Sequence, residues 1–186
     1  MSVRPLTKPE LEQDLDAFLE ARGVPYLKRL IGVPLQQHVT QRIRHESSGV
    51  LVQQSSSALS TFTQVQRCAT KCRGTDASGG AVLLTTAWDG PVWVVTSQEV
   101  DAASGAPLAE KLPIVTRRWL VDPTHMRFEV TTRHYDGSAR TATAVRVFVR
   151  VSPDVGAEVP AADAVRPGTT AGSAWSALFG STAPGR

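Results

Sequence analysis

The chain has 186 residues, 41% of them hydrophobic, and a formal charge of +3, which fits one domain of ordinary size with some length to spare. Its basic residues are scattered, so the composition excludes the dense Lys/Arg footprint of a nucleic-acid binder and leaves acidic partners as a class: an anionic lipid, a membrane surface or an acidic protein. No stretch reaches the roughly 20 apolar residues of a membrane helix, and Met1 to Glu10 lacks the apolar centre of a signal peptide, so a cytoplasmic protein with reduced thiols is expected.

Residues 1–10 read as an N-terminal arm or a degenerate first strand. From Leu11 to Arg22, Leu11, Leu15, Phe18 and Leu19 recur at helical spacing, and Gly23 ends the helix as a C-cap. Val24-Pro25 opens a second short helix, Tyr26 to Ile31, stopped by Gly32 and Pro34. This helix–turn–helix is no DNA reader, because its second helix is neither long enough nor basic and polar-faced.

The period changes to two beyond Leu35. Val39, Gln41 and Ile43 alternate with Thr40, Arg42 and Arg44, which puts Arg42 and Arg44 outside. Strands are predicted over Val50–Gln54, Leu59–Gln66, Ala81–Trp88, Val92–Val100, Leu112–Val121, Met126–Thr132 and Thr141–Val151. Asp89-Gly90-Pro91 and Asp136-Gly137 are hairpin turns, and Arg67 to Gly80 reads as a loop or frayed strand. So many short, regularly spaced strands imply an all-β barrel or sandwich. Residues 153–186 turn to Pro, Ala, Gly and Ser, the composition of a disordered tail. Trp175, Leu178 and Phe179 interrupt it at helical spacing within residues 174–180, as a docking motif for a partner would.

Cys68 and Cys72 have a C-x3-C spacing but no second pair of close ligands, so plain loop or strand-end thiols are expected rather than a metal site. His38, His45, His125 and His134 are scattered and read as surface residues. No nucleophile elbow, P-loop, dinucleotide motif or carboxylate pair occurs, so binding is expected rather than catalysis, without metal or cofactor.

Two stretches carry a family resemblance. Asp14 to Tyr26 (Asp-Leu-Asp-Ala-Phe-Leu-Glu-Ala-Arg-Gly-Val-Pro-Tyr), followed by Arg29, looks like the lid segment of the cytosolic fatty-acid-binding and retinoid-binding proteins of the calycin group. Thr143 to Arg150 (Thr-Ala-Val-Arg-Val-Phe-Val-Arg) looks like that family's closing strand. The resemblance implies an antiparallel up-and-down β-barrel of about ten strands over residues 11–152, with a helix–turn–helix lid. It also implies a fatty acid or similar hydrophobic anion in the cavity, its carboxylate held by two arginines and a tyrosine. Arg146 matches the first arginine, Phe148 stands where the tyrosine would, and Arg117 and Arg118 compete for the second arginine; Met126, Phe128 and Val130 would line the same interior. The family's first-strand Gly-x-Trp is missing from residues 1–10.

Physical chemistry leaves the closing strand open. One face offers Val145, Val147, Val149 and Val151, the other Ala144, Arg146, Phe148 and Arg150, and only one faces inward. Burying an unpaired guanidinium costs several kcal/mol, roughly the cost of desolvating a charge, which favours the valines inside. An anionic ligand would reverse that preference. The competing function is a barrel without ligand, serving as an adaptor in a larger assembly. A ciliary or flagellar microtubule complex is one such setting, with acidic tubulin meeting the basic surface or the tail.

Overall fold

Turn residues return the chain on itself repeatedly, and the computed structural model describes the outcome for residues 2–5, 12–35, 39–47, 49–57, 61–76 and 79–151. The strands are β1 (Ser2–Pro5), β2 (Glu12–Gln13), β3 (Thr40–Ser47), β4 (Val50–Ser56), β5 (Thr61–Arg67), β6 (Cys72–Thr75), β7 (Ala81–Asp89), β8 (Val92–Glu99), β9 (Ile114–Leu120), β10 (His125–Arg133) and β11 (Thr141–Val151). Two helices, α1 (Leu15–Ala21) and α2 (Tyr26–Leu35), separate β2 from β3. The strands form one sheet in the order β5-β4-β3-β1-β11-β10-β9-β8-β7-β6, with β2 added against β11. Its ladders are all antiparallel.

Neighbours in sequence are therefore neighbours in space, except that β1 lies between β3 and β11 and joins the two ends of the meander. The end strands β5 and β6 meet without a ladder. Side chains bridge them instead: Cys72 Sγ reaches Val65 O at 3.6 Å and Gln64 Nε2 reaches Thr75 O at 3.4 Å. Below them the Thr86 hydroxyl donates to Arg67 O, and Ala69 N donates to Thr86 O.

Several details correct the sequence reading. Residues 2–5, left open between an arm and a degenerate first strand, form a strand paired on both sides. The first helix starts at Leu15, not Leu11, because Asp14 is in the left-handed conformation (φ 63°), which a right-handed helix cannot contain. Glu12 and Gln13 pair with Arg146 and Val145 instead. Helix α2 runs through Gly32 and Pro34 to Leu35; a proline in the last turn forfeits little helical bonding beyond its own missing N–H. The segment Arg67–Gly80 contains the short strand β6. Trp175, Leu178, Phe179 and the rest of 153–186 lie outside the described residues, as does His38.

Alternation sets the core. Ile43, Leu51, Val82, Leu84, Trp93, Val95, Met126 and Phe148 form its main cluster, and Phe18 and Leu19 of α1 form a second with Ala144. Helix α1 is thereby seated on β11 and β10. It ends in a Schellman motif: Gly23 N donates to Glu20 O at 2.8 Å and Val24 N to Leu19 O at 3.0 Å. Gly23 has φ +74°, and a Cβ there would meet the Tyr135 ring at 3.3 Å. Tyr135 N also donates to Ala21 O at 2.8 Å. Gly23→Ala is accordingly expected to destabilise by about 1–2 kcal/mol, the left-handed penalty of a side chain, read as a lower urea midpoint at unchanged slope.

Among the described residues no helix is long and apolar enough to cross a membrane.

Candidate ligand cavity

A cavity of about 460 Å³ lies between the helices and the inner face of the sheet. That is within the range of small-molecule sites. Leu15, Phe18, Leu19, Val24 and Pro25 of the helical segment line one side, and residues of β3–β5 and β8–β11 line the rest. Arg22 fastens this lid: Nη2 meets Glu99 Oε1 at 2.6 Å and Nη1 donates to Leu112 O at 2.8 Å. Lys111 Nζ approaches the other Glu99 oxygen at 3.7 Å.

One row of side chains crosses four strands on the inner face. Trp93 on β8 stands opposite Arg118 on β9, Arg118 opposite Phe128 on β10, and Phe128 opposite Arg146 on β11. Directly opposed residues in an antiparallel pair share a face, so the register alone brings both arginines inward with a phenylalanine between them. Arg118 Cζ lies 4.9 Å from the Phe128 ring centroid, a cation–π stack. Phe128 in turn meets Phe148 edge-on at 5.9 Å.

Arg118 is 7% exposed and Arg146 8%. Nε and Nη1 of Arg118 have no hydrogen-bond partner among the described residues. Burial lowers its pKa to about 9, well below the usual guanidinium range, because a charge removed from water is disfavoured.

The structure thus gathers Arg118, Arg146, Phe128 and Val130 at the cavity wall. Met126 and Phe148 share that face but lie in the packed core beneath it rather than on the lining. Arg117 is exposed on the opposite face, beside Glu129, since adjacent strand residues point opposite ways. It stands outside the cavity lining. Val145, Val147 and Val149 of β11 are half-buried on the outside, so the arginine face of the closing strand is the inner one.

Sequence reasoning passed over the polar wall opposite. Gln41 of β3, Gln53 and Ser55 of β4, and Gln64 and Gln66 of β5 all line the cavity. The signal was present in the alternation, because Gln41 shares the face of Val39 and Ile43, and Gln53 that of Leu51. The two carboxylates of the lining are committed: Glu99 to Arg22 and Lys111, and Asp76 to the backbone N–H of Gly80 at 2.8 Å. Among the described residues no three His, Cys, Asp or Glu side chains gather as a metal site would require, and Cys68 and Cys72 are free thiols.

Neither a protein-family model nor a curated protein sequence matches the chain. Solved structures do resemble it. Fatty-acid-binding protein 1 of Echinococcus granulosus superposes with a TM-score of 0.58 at 14% identity, covering 81% of this chain and 96% of that one. A Schistosoma mansoni fatty acid binding protein in complex with arachidonic acid gives 0.58 at 18% identity over 81% and 94%. Lipid binding protein 8 of Caenorhabditis elegans gives 0.60 at 10% identity over 81% and 93%. At such identities the fold is what is shared: this chain has the fold of the fatty-acid-binding and lipid-binding proteins.

Proposed function

We propose that the sheet closes as a barrel around the cavity and that the protein is a non-catalytic intracellular carrier of a fatty acid or similar hydrophobic anion. The observation that carries this reading is Arg118: a buried guanidinium facing a cavity, with Nε and Nη1 unmet by any described residue. Leaving a charge in that condition costs several kcal/mol, about what desolvation takes from an ion, and an anionic head group placed between Arg118 and Arg146 removes the cost. The apolar lid residues Leu15, Phe18 and Leu19 supply cover for an acyl chain.

An open cavity favours the carrier over a ligand-free adaptor, whose interior would be filled by side chains. The solved fold relatives described as fatty-acid-binding proteins support the same ligand class.

The test is displacement of an environment-sensitive fluorescent fatty acid. Saturable displacement by a long-chain fatty acid is expected. Arg146→Ala should weaken it by about 1.5–3 kcal/mol, the range for a hydrogen bond to a charged group. Affinity for the fatty acid that does not change in this variant would remove Arg146 from the head-group site.

A further inference from the structure

We propose that the ligand carries a hydroxyl group partway along its chain, held between Gln41 and Ser55, so that the preferred class is a hydroxylated long-chain fatty acid. This deepens the carrier reading and rests on it.

An acyl chain alone asks only for an apolar wall, and burying amides is costly unless each is hydrogen-bonded. The wall formed by β3–β5 nonetheless carries a connected polar line. Trp93 Nε1 donates to Gln66 Oε1 at 2.8 Å. An indole N–H can only donate, so the orientation of the Gln66 amide is fixed. Gln66 Nε2 then donates to Gln64 Oε1 at 2.8 Å and to Gln53 Oε1 at 3.3 Å. Gln53 Nε2 donates in turn to Ser55 Oγ at 2.8 Å.

The line stops there. Ser55 Oγ accepts that bond, and its own O–H remains to be donated. Gln41 stands directly opposite Ser55 in the ladder between β3 and β4, with the two Cβ atoms about 5 Å apart on the inner face. Gln41 is 5% exposed, and its Oε1 has no hydrogen-bond partner among the described residues. One donor and one unmet acceptor therefore sit side by side at the cavity surface. A hydroxyl satisfies both, accepting from Ser55 and donating to Gln41. A ketone or an ionised carboxylate only accepts and leaves Gln41 unmet.

The place along the chain follows from the sheet order. Strand β4 is three strands from β11, which carries Arg146, or about 14 Å along the sheet. A run of methylenes therefore separates the hydroxyl from the head group.

Stearic acid and a mid-chain hydroxystearic acid, each displacing the fluorescent fatty acid from the full chain, test this. Both should displace, the hydroxylated acid about tenfold more tightly, within the cost of an unmet buried polar group. In Gln41→Leu the ratio of the two affinities should fall towards one. Equal affinities on the unaltered protein would overturn the inference, with water holding the place, while the carrier reading stands. Saturable displacement by neither acid would overturn the carrier reading and this inference together. The unaltered protein decides the matter even if Gln41→Leu does not fold.

Discussion

Arg118→Met is expected to make the empty protein more stable and the ligand-binding protein worse at its task. Methionine keeps the contact with the Phe128 ring through its thioether and removes a buried charge that has two unmet donors. Replacing buried charge by an apolar side chain of similar volume gains about 1–4 kcal/mol in favourable cases. In a domain of this size that raises the melting temperature by about 2–4 °C per kcal/mol. Affinity for a fatty acid should fall at least about tenfold, the low end for a lost charge-assisted hydrogen bond.

The sign with pH is fixed. Burial lowers the folded-state pKa of Arg118 to about 9, well below its ordinary value, so from there up to that ordinary value the unfolded chain binds more protons than the folded one. Stability conferred by this group therefore rises with pH across that window. The penalty is complete below pH 9, and the advantage of Arg118→Met narrows above it. Thermal melts of both proteins with and without fatty acid, at neutral pH, check the claim. A variant that melts lower when empty and binds as before would show that Arg118 serves packing alone.

Phe148→Ala should be the most damaging single truncation on the inner face. Phe148 is fully buried in the main core cluster and meets Phe128 edge-on. Emptying such a site costs about 3–5 kcal/mol, a fall of about 6–20 °C in melting temperature. Because Phe148 lies under the cavity lining, the loss should appear without any ligand present. A cost under about 1 kcal/mol, the scale of a side chain that faces open space, would place the ring in the cavity after all.

Residue alternation made much of this legible. Leu51 with Gln53, and Met126 with Phe128, declare a common face without any structure. The closing strand did not, because both its faces carry apolar side chains and desolvation cost points to the valines. Only the partner strand resolves it: Phe128 opposes Arg146 and Arg118 at once, which fixes the inner face of three strands. The same register decides between Arg117 and Arg118, which alternation alone could say only were not both inside.

Residues 2–5 stayed undecided between an arm and a strand for a different reason. Four residues hold no periodicity of their own, and their conformation comes from two strands distant in sequence. The start of α1 hinged likewise on one backbone angle at Asp14, which the helical spacing of Leu11 and Leu15 concealed.

The position of β1 also bears on the order in which the molecule is assembled. Among the described residues Ser2–Pro5 are made before all others, yet Phe148–Val151, with which they pair, are the last to be made. The two runs of hairpins, β3 to β5 and β6 to β11, can each zip through short closures. Uniting β1 with β11 must span nearly the whole described chain, and that entropy is met in one late step. Until then β3 and β11 each present an unpaired backbone edge, the kind that recruits strands from other chains. The four residues of β1 thus act as the clasp that ends the vulnerable phase of folding.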